Sequence, residues 1–138
     1  MRSVVAGGVN HRFGLDDAIM LKDNHIAAIG SIGQAVKKVR DVTGHMVKIE
    51  VEIENEEQLQ AAIDADVDVI MFDNMSPHNI NRIITQVPSH IITEASGNIT
   101  LENIHEYSNV KVDIISLGFI THSAPALDIS FNVMEGLK

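Results

Sequence analysis

The sequence predicts an α/β fold, a partial open parallel barrel of TIM-like type assembled from βα units, and three observations carry that prediction. Short apolar runs alternate with segments of helical period, the signature of strands covered by helices. The helical segments begin at capping signals. Polar residues gather just after the apolar runs, at intervals of 21 to 22 residues, and the carboxyl ends of strands are where parallel α/β folds keep their functional groups.

Five runs are the expected strands: Ala18 to Leu21, Val47 to Ile53, Val67 to Phe72, His90 to Ala95 and Val112 to Leu117. Between them, Ile32, Ala35, Val36 and Val39 follow i, i+3, i+4, i+7 spacing, and Ile80, Ile83, Ile84 and Val87 repeat it. Each set forms one apolar stripe for covering the sheet. Ser31 with Gln34 has the capping-box pattern, Ser76-Pro77 puts a cap before a first-turn proline, and Asn55 and Thr100 are expected caps. The stretch Val67 to Phe72 is echoed by Val112 to Leu117, 45 residues later, or about two βα units. Five strands do not close an eight-stranded barrel, so the sheet is expected to be open or to lack strands from this chain.

Composition narrows the function classes. One domain spanning 1–138 is expected from 138 residues with 45% hydrophobic content. Ten Lys and Arg against nineteen Asp and Glu give a net charge of −9, which argues against a nucleic-acid or anionic-membrane partner. Any anionic ligand then needs a local basic pocket. There is no cysteine, hence no disulfide framework or thiolate metal site, and no stretch long and apolar enough for a membrane span. The start lacks the order of a signal peptide, so a cytoplasmic protein is expected.

The polar strand ends are Lys22-Asp23-Asn24-His25, Glu52 to Asn55, Asp73-Asn74, Glu94 to Asn98 and Gly118 to Ser123. A barrel would bring them onto one rim. In Lys48 to Glu54 the charged residues Lys48, Glu50, Glu52 and Glu54 alternate with apolar ones, placing the charges on one strand face. That face is either the solvated side of an edge strand or the inside of a barrel mouth. In the mouth, a carboxylate from this strand and Asp73 from the next can hold Mg²⁺, a hard ion that bridges substrate phosphates. Asp73-Asn74 equally suits a turn ahead of the Ser76 cap.

Ser96-Gly97-Asn98, with a helix expected from Thr100, can offer N–H groups and a hydroxyl to a phosphate, and Gly118 with Thr121-His122-Ser123 follows the next strand. Each alone is an ordinary turn; on neighbouring strands the two suggest one phosphate cradle. His11, Arg12 and Lys22 gather cations for a substrate bearing carboxylates. His45, His78, His90 and His105 lack ligand spacing and are expected to be structural or solvated.

These residues also resemble a known family. Gly7-Gly8-Val9-Asn10-His11-Arg12-Phe13-Gly14-Leu15, Lys22 to His25, Glu50-Val51-Glu52, Asp73-Asn74-Met75, Glu94 to Thr100 and Thr121 to Asp128 are similar, in order and over nearly the whole chain, to quinolinate phosphoribosyltransferase, the carboxylating nicotinate-nucleotide pyrophosphorylase. The resemblance implies an open barrel and transfer of a phosphoribosyl group from phosphoribosyl pyrophosphate to quinolinate, with loss of CO₂, in NAD biosynthesis. It implies that His11, Arg12 and Lys22 hold the quinolinate carboxylates. It gives Glu52 and Asp73 the Mg²⁺ and ribose region, Ser96, Gly97, Asn98, Gly118 and His122 the 5′-phosphate, and Lys22, Glu52 and Asp73 the catalytic roles.

Family members are about twice this long. Their amino-terminal domain contributes an arginine to the neighbouring subunit's site, and a Thr-Arg-Lys-Thr segment lies on an early barrel strand; neither falls within the 138 residues. The chain is therefore expected to be the carboxyl-terminal barrel portion, inactive or weakly active alone, and to self-associate through uncovered strand edges. The competing readings are a non-catalytic fragment that retains phosphate binding and a related barrel transferase for another substrate, such as the molybdenum-transport-associated relatives.

Overall fold

The computed structural model describes residues 7–12, 14 and 17–122. Phe13 and Leu15 of the first motif and Ser123 to Asp128 of the last lie outside the described residues. Five strands, β1 (Ala18–Leu21), β2 (Lys48–Ile53), β3 (Val69–Asp73), β4 (Ile92–Ser96) and β5 (Ile114–Ile115), pair in parallel in sequential order. Consecutive parallel neighbours joined by helical crossovers are the βα repeat that the sequence predicts, and the sheet is open among the described residues. No helix of the described residues is long and apolar enough to cross a membrane.

One face of the sheet is packed. Ile49, Val51, Ile53, Ile70, Phe72 and Ala95 are fully buried there in one cluster with Ile32, Ala35, Val36, Leu59, Ala62, Ile80 and Ile83 from the helices. Burying each larger aliphatic or aromatic side chain contributes about 1.5 to 3 kcal/mol. The helices start where the caps predict: Ser31 Oγ accepts from Gln34 N, Asn55 Oδ1 from Gln58 N, and Ser76 Oγ from Asn79 N, at 3.3, 3.0 and 3.3 Å. They open helices Ile32–Arg40, Glu56–Asp64 and Pro77–Ile83.

Two expected elements differ. No helix starts at Thr100: its N–H donates to Asn103 Oδ1 and its hydroxyl accepts from Glu102 N. These local bonds hold a turn instead of a helical first turn, and a 3₁₀ helix follows at Ile104–Asn109. The last strand is two residues long, although Asp113 N→Thr93 O and Ser116 N→Ala95 O continue its ladder on either side.

The internal echo has a structural cause. Asp68 and Asp113 occupy equivalent places before β3 and β5, and each carboxylate accepts the backbone N–H of the neighbouring strand, Ile49 and Thr93 respectively, at 2.8 Å. Asp113 also accepts the Thr93 hydroxyl at 2.7 Å. The hydroxyl and backbone bonds from Thr93 hold the Asp113 carboxyl below its ordinary value of 3.8. A depressed carboxyl stabilises the fold above its unfolded-state value, and the contribution fades as pH falls through the lower folded-state value. Asp113→Asn is therefore expected to cost about 1 kcal/mol at neutral pH, with the difference shrinking as denaturant melts are taken below pH 4; a pH-independent difference would contradict this.

Candidate functional site

The register defines the second face. Met20, Glu50, Val69 and Ile92 form one row across the strands, and Glu52, Met71, Glu94 and Ile114 form the next. Asp73 and Ser96 make a third row at the carboxyl edge. Alternation along each strand sends these side chains to the face opposite the helices. Lys22, Glu52, Asp73 and Ser96 thus lie at one end of the sheet, as their spacing predicts.

The solvated-edge reading of Lys48 to Glu54 is corrected. β2 lies between β1 and β3, and although Lys48 is exposed, Glu50 is 3% exposed. Glu50 is buried on this face and Glu52 part-buried, while Glu54 beyond the strand end is exposed. Lys22 Nζ meets Glu52 Oε1 at 2.6 Å, a close charge-assisted hydrogen bond between adjacent strand ends. His11 Nε2 stands 3.4 Å from Glu50 Oε2 and 3.3 Å from Glu94 Oε1, and Ser116 Oγ donates to the same Glu94 oxygen. Burial, then the neighbouring Glu94 charge, raises the Glu50 carboxyl above its usual range, opposed by His11 and Arg12. Arg12 Nη1 donates to Ala18 O at 3.2 Å. All three cations expected to grip carboxylates are therefore placed along this face or its border.

At the carboxyl edge the loops after β3 and β4 are stitched together. Asn74 N donates to Ser96 O at 3.0 Å, Asn98 Nδ2 to Asn74 Oδ1 at 2.8 Å, and Asn74 Nδ2 to Asp73 Oδ2 at 2.8 Å. Asn74 and Asn98 have φ of 53° and 51°, the left-handed region that asparagine tolerates, and Gly97 has φ 89°. A Cβ on Gly97 would stand 2.5 Å from Asn74 Oδ1 and 2.6 Å from Asn74 N. Asp73-Asn74 thus forms a turn into the Ser76 cap and stands at the carboxyl edge of the sheet.

Ser96, Gly97, Asn98, Gly118 and His122 line one cavity of about 670 Å³ with Ser116 and Thr100. The two expected halves of the cradle meet there. His122 lies over Gly118, its Nε2 3.0 Å from where a Cβ would be, and Thr121 Oγ1 donates to Gly118 O. Glu52 and Asp73 offer carboxylate oxygens at the same end of the sheet, the donor type that a hard divalent ion takes.

The sequence reading did not single out Glu50, Glu94 and Ser116 as site residues. Alternation already put Glu50 on the Glu52 face, and Glu94 stands two residues before Ser96, so period two alone could have found them. His45, His78, His90 and His105 are exposed, His90 Nε2 lying 3.1 Å from Asp66 Oδ1.

Residues 1–132 match the family model described as quinolinate phosphoribosyl transferase, C-terminal domain. A Bacillus subtilis protein named probable nicotinate-nucleotide pyrophosphorylase (carboxylating) is 59% identical over 92% of this chain and 44% of its own length. The Homo sapiens nicotinate-nucleotide pyrophosphorylase (carboxylating) is 36% identical over 94% of this chain and 45% of its own length. The crystal structure of NadC from Streptococcus pyogenes superimposes with a TM-score of 0.82 at 44% identity, covering 87% of this chain and 42% of that one. The chain spans about half the length of the relatives it matches.

Proposed function

Because the chain belongs to the quinolinate phosphoribosyl transferase family, through that family's C-terminal domain, we propose that it forms the part of a carboxylating nicotinate-nucleotide pyrophosphorylase that binds phosphoribosyl pyrophosphate and presents it to quinolinate. The observation that carries this reading is the single cavity shared by Ser96, Gly97, Asn98, Gly118 and His122 beside the Lys22, Glu52 and Asp73 edge.

In this reading Ser96, Gly97, Asn98, Gly118 and His122 hold the 5′-phosphate. Glu52 and Asp73 orient the ribose region and hold Mg²⁺, which when bound neutralises charge developing on the pyrophosphate. His11, Arg12 and Lys22 grip the two quinolinate carboxylates. Lys22 is paired with Glu52, so a substrate carboxylate exchanges one anionic partner of Lys22 for another. The pyridine nitrogen lone pair forms the bond to the sugar carbon as the bond to pyrophosphate breaks. The carboxylate beside that nitrogen then leaves as CO₂, its electron pair remaining on the ring carbon to take up a proton. Holding the reactants in line and stabilising the leaving charge supply the catalysis.

A donor bound at 100 times its Kd adds roughly 2.7 kcal/mol to stability, or a rise of about 10 °C in Tm for a domain of this size. Phosphoribosyl pyrophosphate with Mg²⁺ is expected to give that rise, and quinolinate at equal concentration a smaller one. A larger rise with quinolinate would sink the proposal. Self-association in a cytoplasmic setting belongs to the same reading. It is supported by the open edges β1 and β5 among the described residues and by Ile114, 40% exposed on β5. Sedimentation at micromolar concentration is expected to show dimers or larger species, and monomer alone contradicts this.

A further inference from the structure

We propose that His25 is a positioning residue for Lys22: its imidazole anchors the Lys22 main chain at the carboxyl end of β1 and so keeps the ammonium where a substrate carboxylate meets it. This role rests on the reading that Lys22 grips quinolinate. His25 stands in the same polar run, three residues after Lys22, and is exposed.

Lys22 stands where neither the sheet nor the core fixes it. Leu21 with Val51 is the last pair of the β1–β2 register, so Lys22 lies one residue past the ladder. Its side chain is 48% exposed, against 13% for its partner Glu52. A long, flexible side chain in that setting gives up rotamer entropy to hold one geometry, and a half-exposed ion pair returns little for it. The main chain supplies the hold that burial does not. Lys22 N donates to His25 Nδ1 at 3.1 Å, and Lys22 O accepts from Ile26 N at 3.0 Å. Both main-chain groups of Lys22 are thus taken by the first turn of helix Asp23–Ile29, with Lys22 itself extended at φ −98° and ψ 168°.

In a capping box the third helical residue reaches back to the N–H of the residue before the helix, and glutamate or glutamine is the usual residue there. Imidazole makes the same bond with one difference of chemistry. A backbone N–H only donates, so Nδ1 accepts with its lone pair and the ring proton sits on Nε2. The anchor therefore carries no negative charge, whereas a glutamate would set a further carboxylate in the same turn as the lysine that receives the substrate's. The anchor matters most during the exchange of partners. When a substrate carboxylate takes the ammonium from Glu52, the ion pair that steadied Lys22 is given up. The bond to His25, made by the main chain, persists.

Amide hydrogen exchange in the unmodified chain, His25→Ala and His25→Gln, read by NMR at Lys22 and at Gly30, tests the anchor without any ligand. Gly30 N donates to Ile26 O at the far end of the same helix. His25→Ala is expected to speed exchange at Lys22 by about threefold to tenfold, the effect of losing one hydrogen bond, and at Gly30 by less than about twofold. His25→Gln, able to reach back as glutamine does in a capping box, is expected to restore Lys22. Quinolinate titrations of the same variants are expected to follow that order, weaker in His25→Ala and near the unmodified chain in His25→Gln, with inorganic phosphate binding unchanged in both. Equal acceleration at Lys22 and Gly30 would reduce His25 to a helix cap, and unchanged quinolinate affinity in His25→Ala would remove it from positioning; either result overturns the proposal. Quinolinate affinity unchanged in Lys22→Ala would sink the reading of Lys22 and the proposal with it, an outcome that the ligand-free exchange measurement tells apart from failure of the anchor.

Discussion

Gly97→Ala is expected to lower stability by about 2 to 6 kcal/mol and to abolish measurable phosphate binding at the carboxyl edge. Two costs add. At φ 89° an L side chain is strained, which is worth about 1 to 3 kcal/mol, and the new Cβ would stand 2.6 Å from the Asn74 backbone nitrogen, overpacking worth another 1 to 3 kcal/mol or so. A rotamer change cannot relieve that contact, because its partner is backbone. Asn74 N, which donates to Ser96 O, has to move, and the β3 and β4 loops separate. Urea melts and a titration with inorganic phosphate read the two effects separately. A variant that keeps wild-type stability and phosphate affinity would show that the loop geometry is unimportant. The comparison glycine is Gly33, where a Cβ meets nothing within 4 Å: Gly33→Ala, lying within helix Ile32–Arg40, is expected to leave phosphate binding alone and raise stability by about 0.5 to 1 kcal/mol.

The second large effect falls on the acids of the rim. Asp73→Asn is expected to weaken Mg²⁺-dependent binding of phosphoribosyl pyrophosphate at least tenfold while leaving the fold within about 0.5 kcal/mol of wild type. Asp73 is half-buried at the end of β3, beside Ser96 in the register, and its Oδ2 already accepts from Asn74 Nδ2. Asparagine keeps the size and one acceptor and removes the charge that a cation needs. A charged hydrogen-bonding partner is worth about 1.5 to 3 kcal/mol, and 1.4 kcal/mol is already a factor of ten. Glu52→Gln is expected to lose as much and also to release Lys22, whose ammonium it holds at 2.6 Å. Equal donor affinity with and without the Asp73 charge would remove Asp73 from the site.

What could be read in the sequence follows from what is local. Strand alternation in Lys48 to Ile53 and the stripes of Ile32 to Val39 and Ile80 to Val87 are set by period alone, and the caps at Ser31, Asn55 and Ser76 form as their side chains dictate. The 21-residue spacings carried Glu52 and Glu94 to one row and Asp73 to the next row at the same end of the sheet. Thr100 misled for the same local reason: a residue that caps helices also closes tight turns, and Asn103 decided between the two. Which face of β2 is covered was undecidable from β2 itself. It depends on β1 and β3 flanking it and on His11 reaching across to Glu50 and Glu94 from a loop some 40 residues upstream of the first of them, a contact that no periodicity encodes. The short β5 depended on Thr93 and Ala95 of its neighbour.

The central claim is that this chain carries the donor side of the site more completely than the quinolinate side. Calorimetric titration of the unmodified chain with phosphoribosyl pyrophosphate and with quinolinate, each with and without Mg²⁺, measures it directly. The account predicts donor binding that requires Mg²⁺ and is at least tenfold tighter than quinolinate binding, since quinolinate has His11, Arg12 and Lys22 as its cations here and each further charge-assisted contact is worth roughly 1.5 to 3 kcal/mol. Quinolinate binding as tight as the donor's, or donor binding indifferent to Mg²⁺, would contradict it.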